Sequence, residues 1–280
     1  MPLDCALPET TWRARLALAF ERRDERSVLA AREHDGPLVV QKPLYPEGPQ
    51  VCHAIVVHPP AGIAGGDELV MEVAARAGSH ALLTTPGAAK WYRSSGAWAR
   101  SRVSIDAARA SHVEWLPQET IVFDGALADI GWEARLEGDA TLVAWDIVRL
   151  GRTASGERFE TGHVNSSLRI VRDGRAAWIE RASIDPKTGA MHGAAGLAWQ
   201  PVFGTMVCAS TGLDGECLAR CREAAAAPGE SAVTRLPGLL VARYRGSSTR
   251  AAREYFIALW AILRPLVSGR EAVAPRIWST

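Results

Sequence analysis

Residues 11–20 read TWRARLALAF, and apolar side chains occupy every second position of this segment. Trp12, Leu16 and Phe20 therefore share one face of an extended chain, whereas Arg13 and Arg15 lie on the other face. A period of two is typical of a β-strand with one face in a core and the other in solvent. The segment predicts a half-buried strand at the start of a β-rich fold.

Short apolar runs of the same kind continue along the chain, and most are bounded by Gly, Pro, Asp or Asn, which favour turns. Roughly the first 205 residues are therefore predicted to be all-β. The runs occupy residues 27–31, 38–41, 54–58, 68–74, 81–85, 102–105, 112–115, 120–123, 132–136, 141–150, 166–171 and 176–183.

Two helices are predicted in the last quarter of the chain. An Ala-rich stretch, 215–227, follows Asp214 as a possible N-cap and stops before Pro228. A second helix, 248–263, is capped by Ser248, has apolar residues at helical spacing and should end before Pro265. With no exact internal repeat and no long linker, residues 1–280 are predicted to form a single domain, whose β-rich body spans about 12–205.

Composition excludes several classes of function. The 280 residues include 32 basic and 31 acidic side chains, a formal net charge of +1, whereas a generic nucleic-acid binder needs a basic excess. The longest apolar stretch, 255–263, is too short to cross a membrane, and no signal peptide is recognisable. We therefore expect a cytoplasmic protein with reduced thiols that contacts neither nucleic acid nor membrane.

Common catalytic and metal motifs are absent. The stretch around Lys90 lacks the upstream glycine and the hydroxyl residue of a phosphate loop. Cys217 and Cys221 share one helix face without the further ligands of a tetrahedral site. Cys52, His53 and His58 lie in one strand region, but adjacent strand residues point to opposite faces, so at most two of the three converge.

Three segments combine special backbone residues with ionisable groups: HPPAGIAGGD (58–67), TTPGAAKWYRS (84–94) and EWLPQETIVFDGA (114–126). Each has a structural and a functional interpretation. The glycine-rich first segment is a tight turn with Asp67 bonding local backbone, or a loop that admits another chain. The second is a turn with solvated cations or a binding surface. In the third, Glu114, Glu119 and Asp124 are solvated strand ends, an acid–base pair or cation ligands.

These segments, in this order and spacing, resemble the urease accessory protein UreD (UreH) family. The similarity also includes residues 36–67 and LGRTASGERFETG (150–162), and it covers more than half of the chain. The resemblance implies an elongated stacked-sheet, β-helix-like body with two helices near the C-terminus. It also implies a chaperone or scaffold without enzymatic activity.

The same resemblance implies partners and site residues. The expected partners are UreF, the GTPase UreG and the urease apoprotein, and the resemblance implies two copies of this chain in one complex. Nickel is expected to be handled transiently, with no tightly bound cofactor, and GTP hydrolysis belongs to UreG. Four residues are candidates for a nickel path: Asp67, Glu119, Asp124 and His58. The predicted motif residues are Pro59, Pro60, Gly62, Gly65, Gly66, Pro86, Gly87 and Lys90, and a candidate partner surface is formed by Tyr255, Phe256, Leu259 and Trp260.

Two other classes of function stay open at this point. One is a β-rich, hydrolase-like enzyme that uses Glu119 and Asp124 as acid and base. The other is a β-rich binding protein unrelated to nickel. For the helix that holds Tyr255, packing on the sheet is the alternative to partner binding.

Overall fold

The chain runs back and forth between two stacked β-sheets. The computed structural model describes residues 11–60, 62–224, 226 and 228–279. Sheet A has seven strands, in the spatial order β14 (Arg175–Ile184), β13 (His163–Arg172), β11 (Leu127–Leu136), β8 (Ala99–Ala107), β5 (Glu68–Ala75), β1 (Arg13–Arg23) and β2 (Arg26–Asp35).

Sheet B has ten strands in the described part of the chain. Its main path is β16 (Glu230–Leu236), β17 (Leu239–Gly246), β15 (Val202–Ala209), β12 (Thr141–Leu150), β9 (His112–Trp115), β6 (His80–Thr84), β4 (Cys52–Val57) and β3 (Val39–Leu44). Two short strands, β7 (Ala89–Trp91) and β10 (Thr120–Val122), pair with each other, and β10 also pairs with β12.

The middle of the chain forms the coils of a solenoid. Strands β4, β6, β9 and β12 are parallel neighbours in sheet B, and β5, β8, β11 and β13 are parallel neighbours in sheet A. Because the two sets alternate along the chain, each coil adds one strand to each sheet. The predicted stacked, β-helix-like fold is confirmed, although the coils do not appear as a sequence repeat.

The main core lies between the two sheets. In β1 the buried residues are Ala14, Leu16, Leu18 and Phe20, in the alternation predicted from the sequence. Trp12 was predicted to lie on the same face, but it precedes β1 and is 51% exposed, so that part of the prediction is wrong. Arg15 of the same strand points outward and pairs with Glu72 of β5. A second apolar cluster lies on the other face of sheet B, where the helices cover it.

Both predicted helices are present, with different ends. The described residues also contain a four-residue helix, α1 (Gly189–His192). Helix α2 (Gly215–Glu223) begins at Asp214, whose side chain accepts a hydrogen bond from Cys217 N. It stops at Glu223, earlier than predicted, and residues 225 and 227 of the predicted helix lie outside the described residues.

Helix α3 (Thr249–Ser268) begins as predicted at Ser248, whose hydroxyl accepts a hydrogen bond from Ala251 N. The predicted end before Pro265 is wrong, because the helix continues to Ser268 and ends at Gly269, with φ 66°. Pro265 removes one backbone N–H donor and crowds the carbonyl four residues earlier, yet the chain stays helical for one more turn. Gly269 N then donates a 3.0 Å hydrogen bond to the Pro265 carbonyl, and this left-handed glycine closes the helix. The described residues include no helix with the length and apolar character that a membrane span requires.

The β-rich body also extends beyond the predicted limit of residue 205. Strand β15 runs to Ala209, and β16 and β17 form a hairpin at the edge of sheet B. Residues 239–244 form an apolar run that is typical of a strand and lie in β17, whereas nothing in the sequence predicts β16. Most of its residues are exposed or half-buried, so no apolar run marks it in the sequence.

Candidate functional site

The sequence motifs meet at one edge of the solenoid. Residues 58–67, 85–98, 116–126 and 151–162 are the connections that lead from sheet B to sheet A in successive coils. Ile63 pairs with Trp91 in an isolated bridge, Trp91 pairs with Val122, and Val122 pairs with Leu150. One residue from each coil therefore stands in the same row, which explains why the motifs recur at similar intervals.

Asp67 ends the first of these connections and is buried at 4% exposure. Its Oδ1 accepts a 2.8 Å hydrogen bond from Trp12 N, and its Oδ2 accepts a 2.8 Å hydrogen bond from Ala64 N. Both carboxylate oxygens therefore hold backbone donors, one local and one from the start of β1. The geometry favours the structural interpretation of Asp67.

Close packing accounts for the glycines of this connection. A Cβ on Gly62 would overlap the Tyr92 ring, and a Cβ on Gly65 would overlap the Ser94 side chain. Gly66 has φ +93°, in the region that favours glycine. The preceding Pro59 and Pro60 are exposed.

His58 differs from its neighbours because its buried Nε2 has no hydrogen-bond partner within the described residues. Burial lowers the pKa of His58, and the negative charge of Asp67 opposes this effect only in part. The imidazole is therefore neutral at physiological pH and keeps one nitrogen available.

The second connection forms an exposed rim. Pro86, Gly87 and Lys90 are exposed, and Trp91, the residue after Lys90, is 2% exposed with its Nε1 lacking a hydrogen-bond partner in the described part of the chain. The residues from Pro86 to Trp91 line an internal cavity, together with His58.

Glu119 and Asp124 are each engaged with an arginine. Glu119 lies 3.5 Å from Arg253, and Asp124 lies 2.6 Å from Arg93. Asp124 Oδ1 also accepts hydrogen bonds from the backbone N–H of residues 160 and 161, at 2.8 and 2.7 Å. Partial burial raises the pKa of Asp124, but these backbone donors outweigh it, so the pKa is lowered overall. Asp124 therefore lacks the raised pKa that a general acid needs.

The internal cavity has a volume of about 260 Å³ and lies between the two sheets. Most of its lining is apolar, including Met71, Trp115 and Trp132. Its ionisable lining groups among the described residues are His58, Lys90, Arg102 and Asp146.

Asp146 is the carboxylate among the described residues that line this cavity. Its Oδ2 accepts a 2.7 Å hydrogen bond from Trp132 Nε1. Burial raises the pKa of Asp146 to about 7, the Trp132 hydrogen bond lowers it, and the nearby negative charge of Glu180 raises it further. Asp146 is thus able to change charge near neutral pH.

Asp146 also lines a second space, a cleft of about 720 Å³ between the edges of the two sheets. Glu180 of β14 lies in this cleft, where its carboxylate accepts hydrogen bonds from Thr205 Oγ1 at 3.0 Å and from Arg243 at 2.7 Å. The cavity and the cleft therefore meet at one carboxylate.

A buried polar network fixes α3 to the opposite face of sheet B. Arg264, with no exposed surface, lies 3.0 Å from Glu114 and also pairs with Glu47. His80 Nε2 lies 2.6 Å from Glu114 Oε1, and Trp260 Nε1 donates to Glu114 Oε2. Burial raises the pKa of Glu114, but the His80 hydrogen bond and the Arg264 charge outweigh it and lower the pKa to about 2.

The predicted partner surface on α3 needs correction. Tyr255, Phe256, Leu259 and Trp260 are all buried, at 3% exposure or less, and pack against sheet B within this chain. Their helical spacing marks the face that covers the sheet. The packing alternative considered from the sequence is the arrangement found, so these four side chains are not available to a partner in this structure.

The described residues contain no group of three or more His, Cys, Asp or Glu side chains arranged to hold a metal ion. Cys217 and Cys221 lie in the apolar cluster under the helices. Burial raises the pKa of Cys221 to about 12, so this thiol stays protonated and is a poor metal ligand.

Two important groups were missed from the sequence. Asp146 interrupts the apolar run TLVAWDIVRL (141–150), and a carboxylate inside such a run was a signal that could have been used. Arg264 gave a weaker signal, since an arginine before Pro265 is equally consistent with a helix end. The nickel-path role of Asp67, Glu119, Asp124 and His58 stays a prediction, and only His58 of these four lines the cavity.

The two stacked sheets are wound as a solenoid, and helices cover one outer face of sheet B. This architecture defines a β-solenoid protein. The model of the UreD urease accessory protein family matches residues 13–279, and the chain belongs to that family. It is therefore involved in urease maturation.

Full-length relatives agree with this assignment. The urease accessory protein UreD of Azoarcus sp. (strain BH72) is 50% identical over 269 residues, covering 96% of this chain and 94% of the relative. The urease accessory protein UreD of Dechloromonas aromatica (strain RCB) is 48% identical over 284 residues, covering 100% of this chain and 99% of the relative.

Proposed function

We propose that this protein is a scaffold that joins the urease apoprotein to UreF and UreG and assists GTP-dependent nickel insertion. The role is non-catalytic, and GTP hydrolysis belongs to UreG. The observation that supports the proposal is that Asp146 lines both the internal cavity and the cleft, which would place one carboxylate on a route for a small cation between the two sheets.

We call the residues His58, Asp146 and Glu180 the inter-sheet passage. His58 lines the cavity, Glu180 lines the cleft, and Asp146 lines both. Imidazole and carboxylate are suitable ligands for nickel, and single ligands spaced along a route release the ion readily. Nickel is the cargo of this passage, and the protein needs no resident metal for the role.

Bridging is tested by immobilising the urease apoprotein and adding UreF, UreG and nickel with or without this chain. We expect UreG to be retained on the apoprotein only when this chain and UreF are both present. Equal retention of UreG without this chain would contradict the bridging role.

The passage is tested separately with Asp146→Asn, which keeps the size of the side chain and removes its charge. We expect the complex to assemble normally while the nickel content of the urease falls. Asp24→Asn is the matched control, because Asp24 is an exposed turn residue whose φ of 53° is also tolerated by asparagine. A nickel content equal to that of the wild type would contradict the role of Asp146.

A further inference from the structure

The exposed side of the solenoid edge carries a continuous set of aromatic rings and guanidinium groups. Tyr92 and Phe123 follow the row residues of their coils and meet edge to face, with ring centroids 5.1 Å apart. The Arg152 guanidinium lies 4.3 Å from the centre of the Phe123 ring. Arg93, the residue after Tyr92, pairs with Asp124, the residue after Phe123. We call Tyr92, Arg93, Phe123 and Arg152 the arginine–aromatic row.

Glycines allow this row to lie flat on the solenoid. A Cβ on Gly62 would overlap the Tyr92 ring, so only glycine lets the ring rest there. Gly125 has φ +77°, and a Cβ on it would lie 3.0 Å from Cγ of Arg93. Two side chains of the row thus rest on backbone that carries no side chain of its own, which limits their rotamers and lowers the entropy lost on binding.

The charges of the row are distributed unequally between surface and interior. The side chains of Arg93 and Arg152 are 69% and 46% exposed, whereas those of their partners Asp124 and Glu157 are 16% and 20% exposed. Asp124 also accepts backbone hydrogen bonds, and Glu157 accepts one from Asp124 N at 3.1 Å. The carboxylates are therefore occupied internally, while the guanidinium groups face solvent.

Exposed charges of both signs flank the row. Lys90 and Arg158 are exposed close by in the chain, and so is the acid Glu160. Exposed arginine over an aromatic ring binds carboxylates through a planar pair of donors, and Tyr and Arg are enriched where protein interfaces concentrate their binding energy. The feature that favours an acidic partner is therefore the exposure of the two guanidinium groups above their more buried carboxylates.

We propose that the arginine–aromatic row docks an acidic segment of a protein partner, with Arg93 and Arg152 receiving its carboxylates and Tyr92 and Phe123 packing against its apolar side chains. The identity of that partner rests on the proposed function, since the urease apoprotein and UreF are the proteins to be tested. None of the four row residues lines the cavity or the cleft, so the two proposals fail independently.

The experiment measures Kd of the wild type and of Arg93→Glu for purified urease apoprotein and for purified UreF, at low and at high salt. We expect Arg93→Glu to raise Kd for one of them about thirtyfold, which is typical of an interface residue of this kind. High salt should weaken the wild type more than the variant, because exposed charge pairs are screened. Arg15→Glu is the matched control, since Arg15 is 53% exposed and also pairs with a carboxylate, on the outer face of sheet A.

Thermal unfolding establishes that each variant is folded, and Arg152→Gln provides a second variant that removes charge without reversing it. Unchanged Kd values for both variants, with wild-type binding intact, would overturn the docking proposal and leave the proposed function standing. Failure of the wild type to bind either protein would overturn both. If Arg93→Glu weakens binding to a 20-base-pair DNA duplex but to neither protein, the arginines bind nucleic acid and the docking proposal is overturned.

Discussion

Replacing Asp146 with asparagine should stabilise the protein, and the gain should depend on pH. Burial raises the pKa of this carboxyl from 3.8 to about 7, with Trp132 as its hydrogen-bond donor. The folded protein therefore holds the proton of Asp146 at pH values where the unfolded chain has lost it. Below the pKa that Asp146 has in the unfolded chain, this carboxyl does not destabilise the fold. As pH rises from that value to the pKa in the folded protein, the free energy of unfolding falls.

The magnitude follows from the separation of the two pKa values. Each pKa unit corresponds to about 1.4 kcal/mol, so the full penalty above pH 7 is at most about 4 kcal/mol. Water entering the adjoining cavity would reduce it. At pH 5 the penalty is only about 1.5 kcal/mol, because the folded carboxyl is still protonated. The free energy of unfolding of Asp146→Asn, relative to that of the wild type, should therefore increase by up to about 3 kcal/mol between pH 5 and pH 8.

Urea unfolding followed by tryptophan fluorescence measures this difference, since the chain contains ten tryptophans. The wild type and Asp146→Asn are compared at pH 5, 6, 7 and 8, with Asp24→Asn as the control. The control should follow the wild type at every pH. Parallel curves for the wild type and Asp146→Asn would refute the argument that Asp146 is held neutral by its burial.

Three further predictions concern stability. Glu114→Gln should lower the free energy of unfolding by about 3 to 5 kcal/mol, because it leaves Arg264 buried with less negative charge, and denaturant titration measures it. Because the pKa of Glu114 is lowered in the folded protein, the stabilisation from this carboxylate is fully present above about pH 4.3. This stabilisation should be lost as pH falls towards 2, and circular dichroism should record the loss of the fold. Trp260→Ala should cost about 3 to 5 kcal/mol in the same titration, and a cost below 1 kcal/mol would contradict its place in the core. Asp67→Ala should lower stability by about 1 to 3 kcal/mol through two unpaired backbone donors, whereas an unchanged midpoint would restore Asp67 as a purely functional residue.

Local pattern predicted much of the fold because strands and caps are encoded by neighbouring residues. The alternation over residues 14–20 and the caps Asp214 and Ser248 appear in the structure as predicted, whereas Trp12 is exposed before the strand begins. The stacking of the coils was inferred only by resemblance, because it depends on which distant strands pair. Pro265 misled the prediction since a proline in a final turn costs little when the rest of the helix is anchored.

The site was less predictable because its properties arise from contacts between distant residues. Asp67 appeared in a suggestive motif, yet its carboxylate is occupied by Trp12 N and Ala64 N. Asp146 stood in an ordinary strand run, yet the space between the sheets gives it a raised pKa. The sequence contains the residue types, but it does not show which carboxylates find backbone donors and which face a cavity.

The most direct test of the account is the nickel content of urease matured with the complete set of accessory proteins, compared with a set that lacks only this chain. The scaffold role predicts a urease with near-full nickel content and activity in the first case and a largely nickel-free, inactive urease in the second. Full nickel incorporation without this chain, at the same nickel and GTP concentrations, would contradict the central claim.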